Sequence, residues 1–200
     1  MYNKLVRIEE PRKVNIDVAG GKGEFLSKKA KENPGQTFVV LDPGVYGSEY
    51  APHLNPELKN LHIINWKSDI DSHLPLAKES VDEANANFLM GEIYTKEGSS
   101  KTVEEDKAKY ARVMRDIFAV LKNEGKLRIV DLQAVIPYIV EVLNDVGFTI
   151  TLTPSPLPIE EKDMSEWSTA FFNMYETTGK NPASLVLPMV VEAVKRELPH

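Results

Sequence analysis

The feature that most constrains this chain is a regular alternation of short, β-branched apolar runs with segments of helical spacing. The runs "VNIDV" (14–18), "TFVVLD" (37–42), "LHIINW" (61–66), "LRIVDL" (127–132) and "FTITLT" (148–153) read as strands. A sixth strand is expected over 81–89, although "DEANANF" is polar and poor in strand formers. Between these runs, 24–32 shows helical spacing at Phe25, Leu26 and Ala30, and "NPG" stops it. Thr102 and Glu105 form a capping box for a long helix reaching Lys122. Its buried stripe is Tyr110, Met114, Ile117, Phe118 and Leu121. A third helix ends at Val146, with Gly147 suited to its C-cap.

Such alternation predicts a single α/β domain over 1–200. The expected architecture is a doubly wound, mostly parallel seven-stranded sheet of Rossmann-like type, covered on both faces. "TPSPLP" (153–158) reads as a loop, and Trp167, Phe171, Met174 and Tyr175 suggest an amphipathic helix after it. Residues 154–183 are expected to be a substrate-side insertion between the last strands. The tail "ASLVLPMVVEAVKREL" supports two readings: a final strand with a proline in its middle, or a short strand passing into a helix that Pro188 starts.

Composition removes several function classes. No cysteine is present, which excludes disulfides, thiolate zinc sites and a cysteine nucleophile and fits a cytoplasmic setting. No run is apolar for the ~20 residues of a membrane span, and "MYNKLVRIEEPRK" lacks the apolar core of a signal peptide. A net charge of -6 argues against broad attraction to phosphate backbones, so no DNA partner is expected. Local patches such as "SKKAK" and "KNEGKLR" leave RNA open, although such runs are commonly solvated helix faces and turns. His53, His62 and His73 lack the close helical spacing of metal ligands, and no metal site is expected.

The stretch "VNIDVAGGKGEFL" (14–26) carries the functional signal. Gly20, Gly21 and Gly23 fall between a strand and the helix after it, where glycine lets the backbone turn sharply and approach a ligand. Asp42 closes the next strand, 19 positions beyond Gly23, near the offset at which an acid reaches ribose hydroxyls. A phosphate loop needs Gly-Lys-Ser/Thr, and Glu24 stands where the hydroxyl belongs. A dinucleotide fingerprint wants a third glycine where Leu26 stands. Asp17, just before the glycines, instead favours a cofactor with a cationic amine, since a pyrophosphate would be repelled.

Five segments in order resemble the class I S-adenosylmethionine-dependent methyltransferases, from about Val14 to Phe148. "IDVAGGKG" resembles the first motif, "VVLDP" the second strand with its ribose-binding acid, and "SDIDSHLPLAKESVDEANANF" the adenine-side acid and fourth strand. "VMRDIFAVLKNEGKLRIVD" resembles the helix, turn and fifth strand, and "LNDVGF" the helix end before strand six. The resemblance implies S-adenosylmethionine as cofactor, with Asp17 on its methionine amine. Gly20, Gly21 and Gly23, with Ala19 at the family's first glycine, would line methionine and ribose. It further implies Asp42 on the ribose hydroxyls and Pro43 against adenine. Asp69 would accept from the adenine amine, Ile70 would pack on its ring, and Asn87 would face the methyl group.

The chain also departs from that pattern. Ala19 adds a methyl group at the first glycine, and Glu124 replaces one glycine of the turn before strand five. "GGKGEFLSKKAKENP" is similar to the first motif of tRNA guanine-N7 methyltransferases, but "NFLMGEIY" (87–94) lacks that family's substrate motif. Plainer readings stand beside each assignment. Asp17 and the glycines also suit a tight turn with a structural cap. Asp69 and Asp71 equally suit a helix N-cap pair. Asn85 and Asn87 share a face with Glu83, either beside the cofactor or on a partly exposed strand.

Methyl transfer leaves no diagnostic catalytic set; Asn87, Glu92 and Tyr94 are the candidates, with Tyr46 on a neighbouring loop. Two functions follow. One is methyl transfer from S-adenosylmethionine to a small-molecule, peptide or RNA acceptor. The other is a catalytically inactive methyltransferase-like protein serving binding or assembly, motivated by Ala19, Glu124 and the polar fourth strand. A nicotinamide-dependent oxidoreductase is a third, weaker idea. Only about a dozen residues precede the first strand, too few for a sizeable lid. Acceptor recognition is therefore expected from the loops after strands four and six and from the segment 154–179.

Overall fold

The computed structural model describes residues 12–20, 23–42, 58–66, 73–87, 103–156 and 188–196. Seven strands lie among them: β1 (Val14–Val18), β2 (Thr37–Asp42), β3 (Leu61–Asn65), β4 (Val81–Asn87), β5 (Leu121–Leu132), β6 (Phe148–Pro156) and β7 (Pro188–Lys195). The helices are α1 (Glu24–Glu32), α2 (Val103–Val120) and α3 (Ile136–Val146), the last entered through a 3-10 turn at Gln133–Val135. The strands form one sheet in the order β3-β2-β1-β4-β5-β7-β6. Pairs from β3 across to β5 are parallel. Only β7 is reversed, antiparallel to both β5 and β6. From β1 the chain builds outward to β3 and then returns to place β4 on the other side of β1. That reversal leaves a crevice at the carboxyl ends of β1 and β4.

Strand alternation sorts the side chains onto two faces. Ile16, Val18, Val39, Leu41, Ala84 and Ala86 belong to the main core, where α2 adds Tyr110, Met114 and Ile117 and α3 adds Ile139 and Leu143. A smaller cluster on the opposite face joins Phe38 and Val40 of β2 to Leu26 and Ala30 of α1. Asp17 lies opposite Val40 in the β1–β2 register, so it belongs to the α1 face. Asn60 ties α1 to the start of β3, its amide donating to the carbonyls of Ala30, Asn33 and Gln36 at 3.1–3.2 Å.

The polar β4 is a strand because its polar groups before Asn87 find partners. Asp82 accepts from the Val14 N–H at 2.8 Å and from Lys122 Nζ at 2.8 Å, while Glu83 accepts from Lys13 at 2.6 Å. Asn85 is 5% exposed and donates to the Ile16 carbonyl at 3.3 Å. The expected cap of α3 is present: Gly147 is left-handed and its N–H bonds the Leu143 and Asn144 carbonyls. The α2 stripe is buried as expected at Tyr110, Met114 and Ile117, with Phe118 partly buried against it; Leu121 is buried too, but as the first residue of β5. The capping box falls outside the described residues at Thr102.

Several expected boundaries are corrected. α2 ends at Val120 rather than Lys122, because Leu121 already pairs with Val81. The ladder then breaks and resumes with Lys126 opposite Glu83. β6 runs through Pro156, so the first residues of the supposed "TPSPLP" loop are strand. Two register shifts along β6 and its place at the sheet edge accommodate prolines that cannot donate to a ladder. The stretch between the last strands therefore begins at 157 rather than 154. Of the two readings of the tail, the final strand is the one present, with a correction. Pro188 is its first described residue rather than a mid-strand one, a position where a missing N–H is tolerated, and the chain stays extended to Lys195 instead of turning into a helix.

Candidate functional site

The end of β1 sets the geometry of the site. Ala19 continues the β1–β2 ladder by one bond, its N–H donating to the Leu41 carbonyl at 2.8 Å. Its backbone is left-handed, with φ of 60°. Alanine there costs roughly 1–2 kcal/mol that glycine would not incur, so this position asks for glycine on backbone grounds and not merely for space. The chain turns through Gly20 and reaches Gly23, whose N–H returns to the Gly20 carbonyl at 3.0 Å. Gly23, at φ of 71°, starts α1 and accepts from the Ser27 N–H and from Ser27 Oγ.

Gly20 sits directly on the Asp17 carboxylate. A Cβ at Gly20 would stand 2.8 Å from Asp17 Oδ2 and 3.0 Å from Val40 Cγ1, so any side chain there would have to displace the Asp17 carboxylate. Asp17 is 2% exposed, and among the described residues its Oδ1 has no hydrogen-bond partner. Burial pushes its carboxyl from 3.8 up to about 7; the Lys29 ammonium pulls it down and the Asp42 carboxylate adds to the rise. Lys29 is itself held below its ordinary value, first by burial and then by Arg128 and Lys13, against the pull of Glu83 and Asp17.

Asp42 closes β2, is buried, and lies two residues beyond Val40. It therefore falls on the same face as Asp17, one pleat further along the neighbouring strand. On the other side of β1, Asn85 lies level with Asp17, and Asn87 is the next residue of β4 on that face. Asn87 Oδ1 is buried and unpartnered among the described residues. The structure thus gathers Asp17, Ala19, Gly20, Gly23, Asp42 and Asn87 at one edge. Gly21, Pro43, Asp69, Ile70, Glu92 and Tyr94 lie outside the described residues, as do Tyr46 and Trp167.

Two charged residues escaped the sequence reading. Asp131, 0% exposed, lies next to the carboxyl end of β5; burial holds the Tyr110 phenol well above its ordinary value of 10.0, and the Asp131 charge adds to the rise. The signal was available, since "LRIVDL" places an acid late in an apolar strand just as "VNIDV" and "TFVVLD" do. Lys29 belongs in sequence to a run that suits a solvated face, whereas it is half-buried on the side of α1 that acts on Asp17. His73 Nδ1 meets Asp116 Oδ1 at 2.9 Å on an exposed surface. Among the described residues no group of three His, Cys, Asp or Glu is placed to hold a metal.

No protein-family model matches this sequence, and no curated protein does. Solved structures do. An S-adenosylmethionine-dependent methyltransferase from Methanosarcina mazei superposes with a TM-score of 0.61 at 16% identity, covering 94% of this chain and 95% of that one. The 16S rRNA (adenine(1408)-N(1))-methyltransferase from Catenulisporales acidiphilia, a W203A mutant solved with its cosubstrate, gives 0.61 at 15% identity over 96% and 85%. The fold is that of S-adenosylmethionine-dependent methyltransferases. This is the architecture that the sequence resemblance implied, with β7 reversed in a sheet otherwise parallel. The [4+2]-cyclase SpnF superposes equally well, with a TM-score of 0.60 at 14% identity over 94% and 76%. Function must therefore be argued from the site rather than from the fold. Among the described residues no helix is long and apolar enough to cross a membrane.

Proposed function

We propose that this chain binds S-adenosylmethionine at the carboxyl edge of β1, β2 and β4 and transfers its methyl group to a small-molecule, peptide or RNA acceptor. The observation that carries the reading is the Asp17 carboxylate: buried, lacking a partner at Oδ1 among the described residues, and overlaid by a glycine where any Cβ would press on it. A buried acceptor atom left unmet is costly, at roughly 1–3 kcal/mol. A cationic amine from the ligand supplies the missing partner.

The neighbouring residues suit the rest of such a ligand. Asp42, on the same face, is placed for vicinal hydroxyls, and Asn87 offers an amide oxygen near the end of β4. Gly20 and Gly23 keep the loop free of side chains where it must approach the ligand. S-adenosylmethionine supplies a methyl group already activated on a sulfonium. The protein's own task is to hold and align both substrates and to exclude water. The same reading places the reaction in the cytoplasm, with the acceptor met by the loop after β4 and the stretch between β6 and β7.

Asp42→Ala tests the assignment. With circular dichroism unchanged, its affinity for S-adenosylhomocysteine should fall at least about tenfold, the loss of one charge-assisted hydrogen bond or more. An unchanged affinity in a folded variant would remove Asp42 from the site.

A further inference from the structure

The unmet Asp17 oxygen also bears on how the site opens to ligand. Asp17 belongs to the core of the sheet at 2% exposure, and it shares its face with a second buried acid, Asp42, on the adjacent strand. The described elements around Asp17 offer its own carboxyl little counter-charge. From β4, Asn85 is neutral, and its amide is already engaged with the Ile16 carbonyl. From α1, Lys29 acts on Asp17 through space and is shared with Glu83 across the sheet. Gly20 packs against the carboxyl group and brings no side-chain donor.

We propose that Asp17 is a proton-linked latch, uncharged in the empty site and ionised when a cationic amine docks on it, so that ligand binding expels one proton to solvent. The inference rests on the function proposed above and names the regulation of that site. The step balances: an ammonium and a carboxylic acid combine as an ammonium–carboxylate pair, and the carboxyl proton leaves to buffer. Its physical origin is the low-dielectric position of Asp17, which disfavours the charge until a counter-charge arrives. The raised carboxyl, at about 7 through burial, places the effect in the neutral range.

The test is calorimetric titration of the full chain with S-adenosylhomocysteine, run in two buffers of different ionisation enthalpy at pH 6 and again at pH 8. The latch predicts release of about 0.9 proton per ligand at pH 6 and about 0.1 at pH 8, with Kd about tenfold weaker at pH 6. Asp17→Asn, measured alongside, should bind more weakly and show no buffer dependence at either pH. Binding whose heat is the same in both buffers at pH 6 would overturn the latch and leave the proposed function standing. Proton release that persists undiminished in Asp17→Asn would overturn it too, by assigning the proton elsewhere. Absence of binding at both pH values would overturn the proposed function and the latch together.

Discussion

Replacing Asp17 by Asn should stabilise the ligand-free protein, and by an amount that grows with pH. The folded-state carboxyl is raised from 3.8 to about 7. A raised group contributes stability that is fully present below its unfolded value and is lost as pH climbs through its folded value. In the wild type that loss runs between about pH 4 and about pH 7, over roughly three pH units at about 1.4 kcal/mol each. Between pH 5 and pH 8 the wild type should therefore lose about 3 kcal/mol that Asp17→Asn does not. An amide in the same buried position adds a constant offset for its own unmet group, but that offset does not titrate.

The quantity to measure is the stability difference between the two proteins by urea unfolding at pH 5, 6, 7 and 8. Other titrating groups are common to both and largely cancel. In melting temperature the expected widening is roughly 6–12 °C, at 2–4 °C per kcal/mol for a chain of this size. A difference that stays flat across the range would refute the reasoning, because it would mean that Asp17 is ionised in the folded protein throughout. A variant more stable than the wild type yet weaker in binding is the signature expected of a functional group held at the expense of stability.

Gly20→Ala should destabilise by about 1–3 kcal/mol and abolish cofactor binding, because its methyl would sit 2.8 Å from Asp17 Oδ2; retained binding in that variant would contradict the cradle. Glu124 is left-handed with φ of 60° and largely exposed. Glu124→Gly should therefore be more stable than Glu124→Ala by about 1 kcal/mol, and parity in chemical denaturation would remove the strain argument. Tyr110→Phe should be neutral or slightly stabilising, since the buried hydroxyl has no partner among the described residues; a loss above about 2 kcal/mol would show that it has one.

What the sequence revealed and what it hid have physical causes. Strands buried on both faces announce themselves as apolar runs, so "TFVVLD" is found residue for residue. The prolines at 154 and 156 make the end of β6 read as a loop, although proline is tolerated on an edge strand. Which strand sits at the edge is a property of topology that no local pattern reports. Ala19 reads in sequence as one extra methyl group, whereas its cost lies in the backbone angle, which only coordinates reveal. Asp17 was legible as an acid before glycines, but not as a carboxyl held near neutrality. That property comes first from burial in the folded sheet and then from Asp42, 25 positions away in the chain. Lys29 reads as part of a basic run because nothing in "SKKAK" says which lysine faces the sheet.

The central claim, that this edge of the sheet is a working S-adenosylmethionine site, is tested most directly by isothermal titration of the wild-type chain at pH 8. S-adenosylmethionine and S-adenosylhomocysteine are titrated separately. The account predicts 1:1 binding of both in the micromolar range, equivalent to about -8 kcal/mol. No heat and no competition from either ligand, with a protein shown to be folded, would contradict it and leave a methyltransferase-like fold turned to binding or assembly.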